Sequence, residues 1–318
     1  MILITGCAGF IGFHLAERLL KEKKRIIGID NINNYYPKHK KKQRLKILKK
    51  YKNFVFIKQD LNNFIKLKKN LYKFKFKHIV HLAAQPGVRI SIKNPHNTLT
   101  QNLTTFSNII EIARLKKVKK FIYASSSSIY GDTKLYPFTE KDYKNVPVSV
   151  YGATKLSNEI IAESYSRNFN LCSVGLRFFT VYGPFGRPDM AYYSFLKNLD
   201  KNKPIKVFNY GKMLRDFTYI DDVIIGIKAV INLKNKIKHE VLNIGKGKPD
   251  KLMDLIKFLE IYRSKRFKIN FTKNIPNGDI RKTYSNVTKA KNLIGWKPST
   301  DLKTGVKMFV KWHSINNE

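Results

Sequence analysis

Tyr151 and Lys155 stand four residues apart in "VYGATK", a spacing that puts both side chains on one face of a helix. A phenol is a feeble base at its ordinary pKa of about 10, and a nearby ammonium stabilises the phenolate. Such a pair can take a proton from a substrate hydroxyl. The same spacing also arises by chance as an ordinary surface pair, so its surroundings decide. Upstream, "SSSSIYG" (125–131) follows the apolar run "KFIYA" and closes it with four hydroxyls, although serine is a poor strand former.

A second chemical signature opens the chain. "TGCAGFIG" places Gly6, Gly9 and Gly12 between an apolar strand pattern, "ILIT", and a helical one. Glycines there allow a tight turn and let backbone amides approach a pyrophosphate that faces the helix N-terminus. Asp30 ends the next strand pattern, eighteen residues beyond Gly12, where a carboxylate can accept from the adenosine ribose hydroxyls. It would repel a 2′-phosphate, which favours NAD over NADP. A glycine turn beside a surface aspartate would explain each part alone but not their order.

These residues need a scaffold, and the apolar pattern supplies one. Short apolar runs at 2–5, 25–30, 54–60, 78–84, 120–125 and 171–178 alternate with amphipathic segments, among them 11–23, 98–114 and 150–167. That alternation predicts a parallel sheet with covering helices. After Gly183 the pattern is irregular, then resumes with a helix over 219–232, a strand over 240–245, a helix near 250–263 and a short strand near 267–271. A second domain would thus be assembled from separate segments. With 318 residues and 43% hydrophobic content the chain is long enough for one large or two moderate domains. Cys7 and Cys172 offer neither metal spacing nor a disulfide framework, so no metal is expected. No apolar run reaches the ~18 residues of a membrane helix. The N-terminus lacks a basic leader segment, and a soluble cytoplasmic protein is expected.

Sixty-two Lys and Arg against 22 Asp and Glu give a net charge of +40. Nucleic-acid binding is one reading. Lysines are spread through the chain, however, and only "KHKKKQRLKILKK" (38–50) is dense. No zinc, helix-turn-helix or RNA-binding signature accompanies them, so drift toward Lys, Asn, Ile, Tyr and Phe is favoured. A basic surface would still attract an anionic small substrate.

Together, "TGCAGFIG", "HLAAQPGVR", "YASSSSIYG", "YGATK", "GLRFFTVYGPFGRPDM" and "RDFTYIDD" resemble the extended short-chain dehydrogenase/reductase family, which includes the NAD-dependent epimerases and dehydratases. Within it, the nucleotide-sugar 4-epimerases acting on UDP-glucuronate are most similar, over nearly the whole chain. The resemblance implies an α/β fold: a Rossmann doubly wound parallel sheet binding NAD, with a smaller α+β domain that binds a UDP-sugar. The first would comprise 1–178, joined by about 216–245, and the second 179–215 with 246–318. A homodimer through paired helices, one carrying Tyr151, is also implied.

By position, the resemblance assigns the cofactor to Gly6, Gly9, Phe10, Ile11, Gly12, Asp30, Asn31, Asp60, Leu61, Leu82, Ala83, Ala84, Asn102 and Phe178, with Tyr151 and Lys155. Ser126 matches the hydroxyl that bonds the sugar C4 oxygen, Tyr151 the base and Lys155 its activator. Arg215 matches an arginine on the diphosphate, Asp279 a residue near the nucleotide ribose, and Val207 and Phe208 positions near the uracil. Arg89 would add to the anionic pocket. Core packing explains Val207 and Phe208 equally, and a salt bridge to Asp216 is the other reading of Arg215. The flank of Asp279, "IRKTYSN", departs from the family pattern, and Pro86 stands where alanine is usual.

The four serines then gain a meaning. Related dehydratases carry an acidic pair at the positions of Ser127 and Ser128, and related decarboxylases a glutamate at Ser128. Neutral hydroxyls can instead bond a sugar C6 carboxylate without repelling it. Thr180 and Arg187 would complete that pocket. A strand-end turn and a solvated loop arginine are the plainer explanations. The expected activity is 4-epimerisation of a UDP-sugar, with UDP-glucuronate as the first substrate to consider. A UDP-galactose-type 4-epimerase ranks second, and a non-catalytic NAD- or nucleic-acid-binding protein third.

Overall fold

The computed structural model describes residues 1–142, 146–234 and 237–316. Its centre is a seven-stranded sheet in which every neighbouring pair is parallel. In chain order the first half runs β1 (Ile2–Thr5), α1 (Phe10–Lys21), β2 (Ile26–Asp30), α2 (Lys38–Leu48), β3 (Phe54–Lys58), α3 (Phe64–Leu71), β4 (His78–His81), α4 (Val88–Lys93), α5 (Pro95–Leu99), α6 (Thr105–Leu115) and β5 (Lys120–Ser126). There follow α7 (Val150–Phe169), β6 (Ser173–Phe178), β7 (Thr180–Tyr182), α8 (Ala191–Asp200), β8 (Ile205–Phe208), β9 (Leu214–Arg215) and β10 (Phe217–Tyr219). The chain continues through α9 (Ile220–Asn232), β11 (His239–Ile244), β12 (Asp250–Lys251), α10 (Leu252–Arg263), β13 (Ile269–Thr272), α11 (Thr288–Ile294) and α12 (Leu302–Ile315). The sheet order β11-β6-β5-β4-β1-β2-β3 reverses direction beside β1, and in such sheets ligands bind at the carboxyl ends near that reversal.

The buried sheet accounts for the continuous apolar runs. Leu3 and Ile79 point to one face and pack with α3 and α6, while Ile4 and Val80 join a core shared with α1 and α9. Outside the sheet, β7 with β10, β8 with β13, and β9 with β12 form three two-stranded pieces. These come from 180–219 and 250–272, so the irregular part of the sequence builds the rim above the sheet.

Two sequence readings change in detail. The helix expected over 98–114 is broken into α5 and α6 by a π-helical turn, Thr100–Thr104. Inside it, the Asn102 side chain accepts from the Gln85 amide at 2.7 Å and donates to Gln85 O and Thr154 Oγ1. The basic run 38–50 is largely helix α2, and two of its cations are buried rather than displayed: Lys41 and Arg44.

A buried ionic cluster ties α7 to the sheet. Arg177 of β6, 1% exposed, donates to both oxygens of Glu159 at 2.9 and 2.7 Å and to the Tyr130 hydroxyl at 2.9 Å. Tyr130 donates in turn to Asn243 of β11 at 2.6 Å, and Ser125 of β5 donates to Glu159. Removing one partner of such a pair leaves an uncompensated buried charge. Glu159→Gln should therefore cost about 3–5 kcal/mol of stability, read as a lowered urea midpoint; a loss within about 0.5 kcal/mol, as for an ordinary surface change, would contradict the clamp.

Candidate active site

Helix α7 begins at Val150, where the Ser149 hydroxyl caps it by accepting from the Gly152 amide at 3.1 Å. Tyr151, Lys155 and Glu159 then follow one another at single-turn spacing on the face turned to β5. The Glu159–Arg177 clamp thus fixes the helix face that carries the first two. Lys155 Nζ donates to the Ala124 carbonyl at 3.0 Å and lies 5.8 Å from the centroid of the Tyr151 ring. Ser126 Oγ accepts from the Ser128 amide and donates to its hydroxyl, both at 3.1 Å. The four hydroxyls are therefore a strand end folding into a single helical turn over Ser127–Tyr130.

Burial dominates the electrostatics here. It pushes the Tyr151 phenol above its ordinary value, with the Arg187 charge and the Ser126 hydroxyl pulling the other way. It also holds Lys155, 2% exposed, down to about 8. Beneath them His81 is kept neutral by burial and by the Lys155 charge, its pKa held down to about 3. Its Nδ1 pairs with Thr5 Oγ1 at 2.8 Å, and the same Thr5 oxygen accepts from the amides of Leu82 and Ala83.

The glycine loop lies at the other end of the same cleft, which encloses about 980 Å³. Gly6 has φ +71°, and a Cβ on it would meet the Ala83 nitrogen at 2.8 Å; one on Gly12 would meet the Gly6 oxygen at 2.1 Å. No side chain fits at either place, so the loop lies flat between β1 and α1 with its backbone open to the cleft. Asp30 accepts from the amides of Ala8 at 3.1 Å and Ile32 at 2.8 Å, which fixes its carboxylate beside that loop. This is the donor and acceptor set that a dinucleotide's pyrophosphate and ribose require. The structure thus fits NAD.

Of the residues singled out from sequence, all but Asp60, Asn102 and Val207 line the cleft. Asp60 stands behind it, accepting from the Asn31 side chain at 3.1 Å. Asn102 is buried, and its amide braces the Gln85 backbone rather than opening into the cleft. Val207 packs with Ile205 and Ile256 in a small core, the second of its two readings, while Phe208 lines the cleft beneath the Arg89 guanidinium at 5.3 Å. Arg215 does not pair with Asp216. It donates to the carbonyls of Leu214 and Arg281 at 2.9 and 3.2 Å. Asp216 is fully buried and takes amides from Gly247 and Ser285 at 3.1 Å. Arg89 and Asp279 form an ion pair of 2.7 Å across the mouth.

Sequence reasoning passed over Tyr35, Lys41, Arg44 and Asp189. Arg44 Nη1 donates to the Ala8 carbonyl and the Tyr36 hydroxyl at 2.8 and 2.6 Å, and Nη2 to the carbonyls of Phe185 and Gly186 at 2.6 and 3.2 Å. It joins the glycine loop to the loop bearing Arg187. Nothing in a lysine-rich run distinguishes one arginine that turns inward. Among the described residues, no group of three or more His, Cys, Asp or Glu could hold a metal. No helix there is long and apolar enough to cross a membrane.

Residues 2–245 match the family model described as "NAD dependent epimerase/dehydratase family". The chain belongs to this family. An uncharacterised protein of Methanocaldococcus jannaschii is 45% identical, over 100% of this chain and 97% of that protein. UDP-glucuronate 4-epimerase 4 of Arabidopsis thaliana is 40% identical, over 98% of this chain and 75% of that one. The crystal structure of the UDP-glucuronic acid 4-epimerase of Bacillus cereus, in complex with UDP-glucuronic acid and NAD, superposes with a TM-score of 0.91 at 36% identity, covering 99% of each chain.

Tyr151, half-buried, is the phenol that stands beside the Lys155 ammonium in this cleft. Tyr151→Phe should lower turnover by about 10²–10⁴-fold without releasing nucleotide; turnover within about tenfold of wild type would remove Tyr151 from proton transfer. Lys155 carries its charge below about pH 8 and loses it above. Activity should accordingly decline as pH rises through about 8, and a rate still climbing well beyond that pH would show that the ammonium is not required.

Proposed function

We propose that this protein is a UDP-sugar 4-epimerase that interconverts UDP-glucuronate and UDP-galacturonate. The observation that carries the reading is the meeting, in one cleft, of the Tyr151–Lys155 pair with three neutral hydroxyls, Ser126, Ser127 and Ser128, and the cation of Arg187. The cleft's acidic residues are Asp30 at the ribose end, Asp189 paired with Arg187, and Asp279 paired with Arg89. No unpaired carboxylate among them would face a uronate. The relatives named for UDP-glucuronate support the same substrate.

In this account Gly6, Gly9, Gly12 and Asp30 hold NAD, with Phe10, Ile11, Asn31, Leu61, Leu82, Ala83, Ala84 and Phe178 around it and Asp60 and Asn102 bracing the walls. NAD bound there supplies a hydride acceptor for C4 and returns the hydride, so no net oxidation occurs. Tyr151 takes the proton from the C4 hydroxyl, and Ser126 holds that oxygen as it becomes a carbonyl. Lys155 stabilises the phenolate meanwhile. The 4-keto sugar then turns so that C4 would regain hydrogen on its opposite face, and Tyr151 returns the proton to the C4 oxygen. Ser127, Ser128, Thr180 and Arg187 receive the C6 carboxylate; Arg215 and Arg89 hold the diphosphate end, with Phe208 and Asp279 toward the nucleoside.

The cofactor domain would be 1–178 with about 216–245, and the remainder would bind the UDP-sugar. A homodimer is consistent with exposed Ile160 and Phe169 on α7 and Leu115 on α6. A cytoplasmic enzyme is proposed, and no described helix is long and apolar enough to cross a membrane.

Purified protein incubated with UDP-glucuronate and no added nucleotide should form UDP-galacturonate, resolved chromatographically. Conversion of UDP-galactose alone would keep the mechanism and overturn the carboxylate pocket. No conversion of either sugar, even with NAD added, would overturn the epimerase reading.

A further inference from the structure

Arg187 would meet a substrate with its guanidinium already engaged by two side chains. Its Nε and Nη2 donate to the two oxygens of Asp189 at 3.1 and 2.5 Å, and Nη2 also donates to the Tyr35 hydroxyl at 3.1 Å. Tyr35 in turn donates to Asp189 at 2.8 Å, and its ring lies 5.6 Å beneath the guanidinium. The three side chains close a ring of hydrogen bonds in which the positive charge is already matched. A Cβ on Gly87 would come within 2.8 Å of the Tyr35 hydroxyl and 3.8 Å of Arg187 Nη2, so a glycine leaves room for this arrangement at the cleft wall.

The proposed reaction places conflicting demands on this cation. The site must recognise the sugar carboxylate, yet between the two hydrogen transfers the ring has to turn its other face to the cofactor. A bidentate arginine–carboxylate bond in a partly dry cleft is strong and directional and would hold the ring in one pose. An aspartate beside the arginine supplies the missing compromise.

We propose that Asp189, oriented by Tyr35, is a built-in counter-charge that competes with the substrate carboxylate for Arg187 and keeps the grip loose enough for the sugar to turn. Asp189 is thus a specificity-tuning residue, and Tyr35 positions both partners. The inference rests on the UDP-uronate reading of the cleft.

Asp189→Asn and Tyr35→Phe separate the possibilities. With the counter-charge removed, Asp189→Asn should bind UDP-glucuronate roughly tenfold more tightly, by calorimetry. KM and kcat should fall together, because a firmly held sugar turns and leaves slowly. The ratio of KM for UDP-glucuronate to KM for UDP-galactose should drop, since a C6 hydroxyl gains nothing from a freed cation. Tyr35→Phe retains the carboxylate and should shift the ratio the same way by less. If Asp189→Asn binds UDP-glucuronate equally or more weakly, Asp189 serves only to position Arg187 and the proposal is overturned. If wild type fails to convert UDP-glucuronate at all, the proposed function falls separately, and the calorimetric comparison still decides whether Asp189 competes for Arg187.

Discussion

Burial of Lys155 beside a half-buried Tyr151 is the constraint on which the rest of the structure depends. Desolvation disfavours both charged forms, moving the phenol up and the ammonium down. Even so, Lys155 keeps its charge below about pH 8. Its ammonium is held in place by donating to the Ala124 carbonyl. The face that carries it cannot rotate away, because Glu159, one turn further along, is locked to Arg177 and Ser125. The stability term and the chemical term are thus parts of one device.

The cleft is a place where independent chain segments are tied to one another. Arg44 joins the glycine loop to the 185–186 backbone, and Tyr35 reaches the side chains of Arg187 and Asp189 in the same loop. Arg89 meets Asp279 across the mouth. The glycine loop and the loop bearing Arg187 are therefore joined through side-chain hydrogen bonds, and a separate ion pair joins residues 89 and 279. A positively charged cleft held by compensated pairs can attract an anionic sugar nucleotide without any single cation dominating its hold.

The sheet was legible because buried parallel strands are short apolar runs, and "ILIT" and "LCSVGLRF" hold little else. The glycine loop and Tyr151 with Lys155 were legible because their spacing is dictated by local geometry. Helix α2 was not assigned: its inward residues, Lys41, Arg44, Leu45 and Leu48, mix cations with leucines, so no apolar stripe marks the buried face. Asn102 was read as facing the cofactor, whereas its side chain supports a backbone turn inside a π-helical kink that no periodicity announces. The joining of Tyr35 to Arg187 and Asp189 is a contact between residues more than 150 positions apart, which local pattern does not reveal.

The central claim is that hydrogen leaves C4 and returns to C4 within one closed site. UDP-glucuronate deuterated at C4 tests it directly, with the product analysed by NMR after conversion in ordinary water. The account predicts UDP-galacturonate that keeps its deuterium at C4. Product carrying solvent hydrogen at C4 would contradict it, because the stereocentre would then have been inverted by proton exchange rather than by transfer to and from a bound nucleotide.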